Sequence, residues 1–130
     1  MKKELQDWIH DLDELIRLPV VVLVANGIET YASCQGGKEH PYYEPTVRFH
    51  GGQWEGFKAM SFLGEYGLPV RRLARIWVID YDLPRDYGWE VTFWNNKGSL
   101  LEAISNKDLL KYIKYCSVEA KEKLLKVKDD

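Results

Sequence analysis

One stretch gathers residues of types able to hold an anion or do chemistry, Ser33, Cys34, Gln35, Gly36, Gly37, His40, Tyr43, Glu44, Arg48 and His50, with Trp54 just beyond it. The run Ser33-Cys34-Gln35-Gly36-Gly37 closes an extended segment with small polar residues and two glycines. Paired glycines let successive backbone N–H groups turn into one concavity, which suits an anion such as phosphate. Ser33 and Gln35 add side-chain donors. Arg48 offers a planar guanidinium fork matched to phosphate or carboxylate. The same run also reads as a wide hairpin loop that needs glycine only for positive φ. It is neither a P-loop nor a dinucleotide fingerprint.

Cys34, His40 and His50 raise two further chemistries. A thiolate beside an imidazole is a nucleophile. Thiol and imidazoles together, with Cys116, are zinc ligands by type. However, Cys-x5-His-x9-His matches no common structural spacing and no Cys-x-x-Cys is present. The expectation is therefore a buried cysteine, a hydrogen-bonded histidine, no metal and no cofactor. No residue is marked as catalytic by its type and spacing. Arg71, Arg72, Arg75 and Arg85 read as a solvated face pairing with Glu44, Asp80, Asp82 and Asp86, which leaves Arg48 as the anion-binding arginine. Glu44 and Glu90 have the acceptors to hold a base or ribose. Tyr42, Tyr43, Trp54 and Trp89 are rings on which a ligand can stack.

These residues need a frame. Residues 2–17 carry Leu5, Trp8, Ile9, Leu12, Leu15 and Ile16 at helical spacing, predicting an amphipathic helix. Leu18 to Gly27 is either a buried strand, from its valines, or a short buried helix with Pro19 in its first turn and Gly27 at its C-terminal end. Strands are predicted over 28–34 and 45–50, joined by the loop 35–44. A helix follows from Trp54 to Gly67, then a helical turn at 70–73. A hairpin follows, with strands at 75–81 and 89–94 and a turn at 84–88. Asn95 to Gly98 signals another turn. Ser105 caps a closing helix, and the charged tail 121–130 is expected to fray. The pattern predicts an α+β two-layer sandwich, a mostly antiparallel sheet of about four strands covered by helices on one face.

A length of 130 residues suits a single domain, 1–130, able to fold without a disulfide or a metal. A net charge of −2 lacks the basic excess of a dedicated nucleic-acid binder, so nucleic acid is not the expected partner. The longest apolar run, Leu18 to Ala25, is far short of the ~18 residues that span a membrane. Met1-Lys2-Lys3-Glu4 leads into an acidic amphipathic stretch and not a signal peptide, so a cytoplasmic protein with reduced Cys34 and Cys116 is expected. A homo-oligomer is compatible with this composition.

The segments Gly27-Ile28-Glu29-Thr30-Tyr31-Ala32-Ser33-Cys34-Gln35-Gly36-Gly37, His40 and Glu44-Pro45-Thr46-Val47-Arg48-Phe49-His50-Gly51 resemble a group of small uncharacterised bacterial and phage proteins. The group shares a G-[IV]-E-T-x-x-S-C-x-G-G, H, E-P-T-[VI]-R-F-H-G pattern. The resemblance spans roughly residues 19–94 and implies a helix before Gly27. A fainter similarity, through Thr30, Ser33, Cys34 and Gly36, is to the wybutosine-synthesising tRNA methyltransferases, with Gly37 standing where their motif has arginine. The leading expectation is a non-enzymatic binding protein for an anionic, nucleotide-like small ligand. The phage resemblance adds sequestration of a host-defence signalling nucleotide as its role. The alternatives are an enzyme acting on a nucleotide or modified RNA base through Cys34 and a histidine, and an interaction module that blocks another protein.

Overall fold

The computed structural model describes residues 2–95 and 101–129. In chain order it contains strand β1 (Lys2–Leu5), helix α1 (Asp7–His10), a 3-10 turn (Glu14–Ile16), helix α2 (Arg17–Ala25), strands β2 (Thr30–Cys34) and β3 (Thr46–Phe49), helix α3 (Glu55–Glu65), strands β4 (Val70–Asp80) and β5 (Leu83–Phe93), helices α4 (Asn106–Ile113) and α5 (Val118–Leu124), and strand β6 (Leu125–Lys128). Strands β2-β3-β5-β4 form one four-stranded antiparallel sheet, and β1 pairs with β6 in a separate two-stranded one. This is the expected α+β class with helices packed on sheets.

The valine run is a helix. Pro19 lies in the first turn of α2, where a missing N–H removes no intrahelical bond. At the other end Gly27 takes φ +82° and Ile28 N–H donates to Leu23 O at 2.9 Å, closing the last turn. Residues 19–24 are all buried, so the helix is apolar all round and sits centrally, touching α3, α4 and α5. Burial on every side overrides the β preference of its valines.

The sheet has two different faces. Val47, Phe49, Val91 and Phe93 point into the helical core. By the pleat, Thr46 and Arg48 point the other way, opposite Thr92 and Glu90 on β5 and Arg72 and Ala74 on β4. That second face carries no residue of the hydrophobic core; Thr46 and Thr92 are buried on it, while Arg48 and Arg72 reach solvent, which makes it the open face at the arginines.

Several local expectations fail. No helix covers residues 2–17; β1 pairs with β6, with Leu5 opposite Leu125, and only one turn of helix forms in α1. Gln6 N–H donates to Leu124 O at 3.0 Å, and Lys126 and Lys128 pair with Asp7 and Glu4. The C-terminal tail therefore forms an ordered strand up to Lys128 instead of fraying. Residues 70–73 belong to β4 and residues 84–88 to β5. The reversal lies at Tyr81-Asp82, both at positive φ (51° and 61°), as in the mirror-image turns that suit hairpin twist. Pro84 is tolerated because β3 pairs only with residues 89–92, leaving that part of β5 without a second neighbour. The closing helix is two helices, since Ser117 Oγ accepts from Ala120 N–H and starts α5, as Ser105 starts α4. The turn predicted at Asn95 to Gly98 lies, beyond Asn95, outside the described residues.

The ends of β4 and β5 run past the third strand as a two-stranded arm. Trp77, Ile79, Tyr81 and Leu83 on this arm are exposed. Its charges pair internally, Arg85 with Asp80 and Arg75 with Asp86. Gly88 N–H and Arg75 hold the Asp86 carboxyl below the usual carboxylate range, the backbone hydrogen bond contributing most. Among the described residues, no helix is long and apolar enough to cross a membrane.

Candidate functional site

The residues singled out in the sequence separate into two clusters on either side of the 35–45 loop. The first is built where β2 ends. Cys34 pairs across from Thr46 and is 3% exposed. Its Sγ lies 3.5 Å from His40 Nδ1 and accepts the N–H of Gly36 at 3.4 Å. Gln35 N–H donates to Asp13 Oδ2 at 3.0 Å, and Gln35 Oε1 accepts Leu15 N–H at 3.2 Å, pinning the loop to the segment before α2. Asp13 Oδ2 is in turn 3.7 Å from His40 Nδ1. Gly37 N–H donates to Tyr43 O at 3.0 Å.

This corrects the expected anion concavity. The N–H groups of Gln35, Gly36 and Gly37 each have an acceptor within the chain: a carboxylate, a sulfur and a carbonyl. The glycines do take the predicted positive φ, +83° at Gly36 and +131° at Gly37. A Cβ on Gly36 would sit 2.6 Å from the backbone of Glu44 and Pro45, so the conformation serves a tight crossing of the two loop ends. Ser33 lies opposite Val47, on the helix side, away from Arg48.

The expectation of no metal was argued from the spacing of Cys34, His40 and His50. The structure changes the set. His50 stacks on Tyr31, with ring centroids 4.3 Å apart. Asp13 takes its place, and the ligand atoms of Asp13, Cys34 and His40 all lie within 4.8 Å of one another. No sequence signal marks Asp13, whose approach depends on the packing of two distant segments. The cluster is not a nucleophile relay either, because thiol and carboxylate approach the same imidazole nitrogen. A relay places the orienting carboxylate on the opposite one.

The second cluster occupies the open face. Arg48 donates to Glu90 Oε2 through Nε at 3.1 Å, with Nη2 3.0 Å away. Arg72 Nη2 approaches Glu90 Oε1 at 3.6 Å, so one carboxylate lies between two guanidiniums. The Arg48 guanidinium lies 5.3 Å from the centroid of the Tyr42 ring, which reaches back from the loop. Tyr31 lies at the same place: burial pushes its phenol up, and the nearby Arg48 pulls it the other way. Thr92, 4% exposed, has a hydroxyl without a hydrogen-bond partner among the described residues.

Arg48 thus pairs with Glu90, and Glu44 pairs with Arg71 at 2.9 Å, within the set of ion pairs expected for the later arginines. Trp54 contacts Phe57 at the start of α3 and is exposed, as is Tyr43. Trp89 faces the helices and donates to Gly52 O at 2.9 Å. Arg72, read from sequence as surface charge, joins Arg48 because alternate residues of a strand share a face and the β4–β5 register brings it there. Compared with known proteins, the chain matches no family model, no curated protein and no solved structure.

Proposed function

We propose that this chain is a non-enzymatic binding protein that takes an anionic, nucleotide-like small ligand on the open face of its sheet. The observation that carries the reading is the excess of guanidinium there: Arg48 and Arg72 share the single carboxylate of Glu90. A phosphate meeting both arginines gains two charge-assisted contacts. Tyr31 and Tyr42 supply flat rings beside them, with His50 stacked on Tyr31. The resemblance to bacterial and phage proteins gives this binding a purpose, sequestration of a signalling nucleotide. Calorimetry with nucleoside phosphates and cyclic dinucleotides tests it. Arg72 is more than half exposed, so Arg72→Ala should leave the melting temperature nearly unchanged while lowering affinity about tenfold. No binding by any member of the panel, or equal affinity in the variant, overturns the reading.

A protein-binding reading has one specific observation in its favour. The β4–β5 arm presents Trp77 and Ile79 on one face, with Pro84 opposite Ile79. Isolated two-stranded ribbons are marginal in water, and both arginines of the arm already pair within it, so a like apolar surface on a second copy is the partner that fits. Light scattering should then give twice the monomer mass, and Ile79→Asp should restore the monomer. A monomer at high micromolar concentration removes this reading.

A further inference from the structure

The Asp13–Cys34–His40 cluster points beyond ligand binding on the sheet. We propose that it is a zinc-class divalent metal site, with Asp13 Oδ2, Cys34 Sγ and His40 Nδ1 as ligands and a fourth position open to water or an external donor. The inference is independent of the nucleotide reading.

Three observations converge on it. The first is distance. Zinc bonds of about 2.0–2.3 Å place the ligand atoms of a tetrahedral site about 3.3–3.6 Å apart. Here Sγ to Nδ1 is 3.5 Å, Nδ1 to Oδ2 is slightly longer at 3.7 Å, and all three ligand atoms lie within 4.8 Å of one another, so a small closure completes the triangle. The second is direction: sulfur and carboxylate both approach Nδ1, as ligands around one centre do, and not the two opposite ring nitrogens. The third is the surroundings of the ligand atoms. Gly36 N–H points at Sγ from two residues on, and Gln35 N–H fixes Oδ2. Such outer contacts orient ligands and tune a metal. The glycine pair, which serves no free anion, finds its use here: the turn it makes brings Gly36 N–H to the sulfur and carries the chain round to His40.

Thiolate, imidazole and carboxylate together suit zinc or cobalt and not magnesium or calcium, which take oxygen ligands. Cys34 is buried, whereas the side chains of Asp13 and His40 are each about one-third exposed. The fourth position therefore faces solvent. Three protein ligands and a position open to water or substrate differ from the closed four-ligand set of a structural site. Binding converts the Cys34 thiol to a thiolate and releases its proton to solvent.

Cobalt(II) titration of the full chain, stripped of metal by chelator, reads the site directly. One equivalent should saturate a thiolate-to-cobalt charge-transfer band, and zinc should displace it. His40→Ala and Asp13→Asn should each weaken cobalt binding at least tenfold with an unchanged circular dichroism spectrum. Cys34→Ser should abolish the band, and Cys116→Ser should retain it. The exposed His40 keeps the test decisive if Cys34→Ser fails to fold. Absence of a saturable band, a band that survives in Cys34→Ser, undiminished cobalt affinity in His40→Ala, or loss of the band in Cys116→Ser overturns the proposal.

Discussion

Gly88→Ala should lower the unfolding free energy by about 3 kcal/mol or more, a large share of the 5–15 kcal/mol typical of a domain. Two costs add. Gly88 has φ +97°, which an L side chain rarely adopts, and a Cβ there would collide with the carbonyl oxygen of Phe49 and meet His50 Cα at 3.0 Å. Both neighbours are backbone atoms of the chain leaving β3, so no flexible side chain can swing aside. The position also anchors the arm, since Gly88 N–H donates to Asp86 Oδ1 at 2.9 Å and the β4–β5 register slips between Ile76 and Trp77 alongside it. Gly64→Ala in α3 is the matched control. A Cβ there meets nothing within 4 Å, and alanine should stabilise the helix by about 0.5–1 kcal/mol. Urea denaturation of both variants at equal m-value checks the pair. A loss under about 1 kcal/mol in Gly88→Ala would mean that β5 moves away from β3 at little cost.

What the sequence makes legible follows from how local each cause is. The strands around Val47 and Val91 alternate cleanly, and Ser105 sits three residues before Asp108, so these elements can be read from short windows. Gly27, Gly36 and Gly67 mark true positive-φ positions because glycine's freedom is an intrinsic property. The N-terminal strand is illegible for the opposite reason. Residues 2–5 pair with residues 125–128, and a helix-period stripe over 5–16 is equally satisfied by burying Leu5, Ile9 and Ile16 from a strand, a short helix and a 3-10 turn. In the site, the sequence identifies Cys34, His40 and Arg48 by residue type but cannot supply their partners. Asp13 and Glu90 lie 21 and 42 residues away from Cys34 and Arg48 respectively, and only the assembled packing and register join them. The backbone donors of the glycine loop mislead on the same account: their acceptors come from Asp13, from Cys34's own side chain and from Tyr43, and two of these become visible only once the loop is folded.

Glu90→Gln should weaken folding and strengthen anion binding at once. The Glu90 side chain is only 13% exposed and accepts from Arg48 through two nitrogens. Hydrogen bonds to charged groups contribute about 1.5–3 kcal/mol, so removing the charge should cost about that much stability. Arg72 adds little, because its side chain is mostly in water and its contact is 3.6 Å. In the variant both guanidiniums lose their shared counter-charge. A phosphate that competes with Glu90 for them should then bind about tenfold tighter, equivalent to roughly 1.4 kcal/mol. Arg48→Ala forms the opposing arm of the experiment. It removes the other half of the same ion pair and should destabilise the fold by a similar amount. Yet it also removes an anion contact, and nucleotide affinity should fall ten- to a hundredfold. A purely structural ion pair predicts equal destabilisation in the two variants with no divergence in affinity, because neither group would then touch the ligand. Divergence in opposite directions, with matched losses in melting temperature, is the result expected of an anion site in which Glu90 occupies the arginines until the ligand arrives. Unchanged affinity in both variants would place the anion site away from this face.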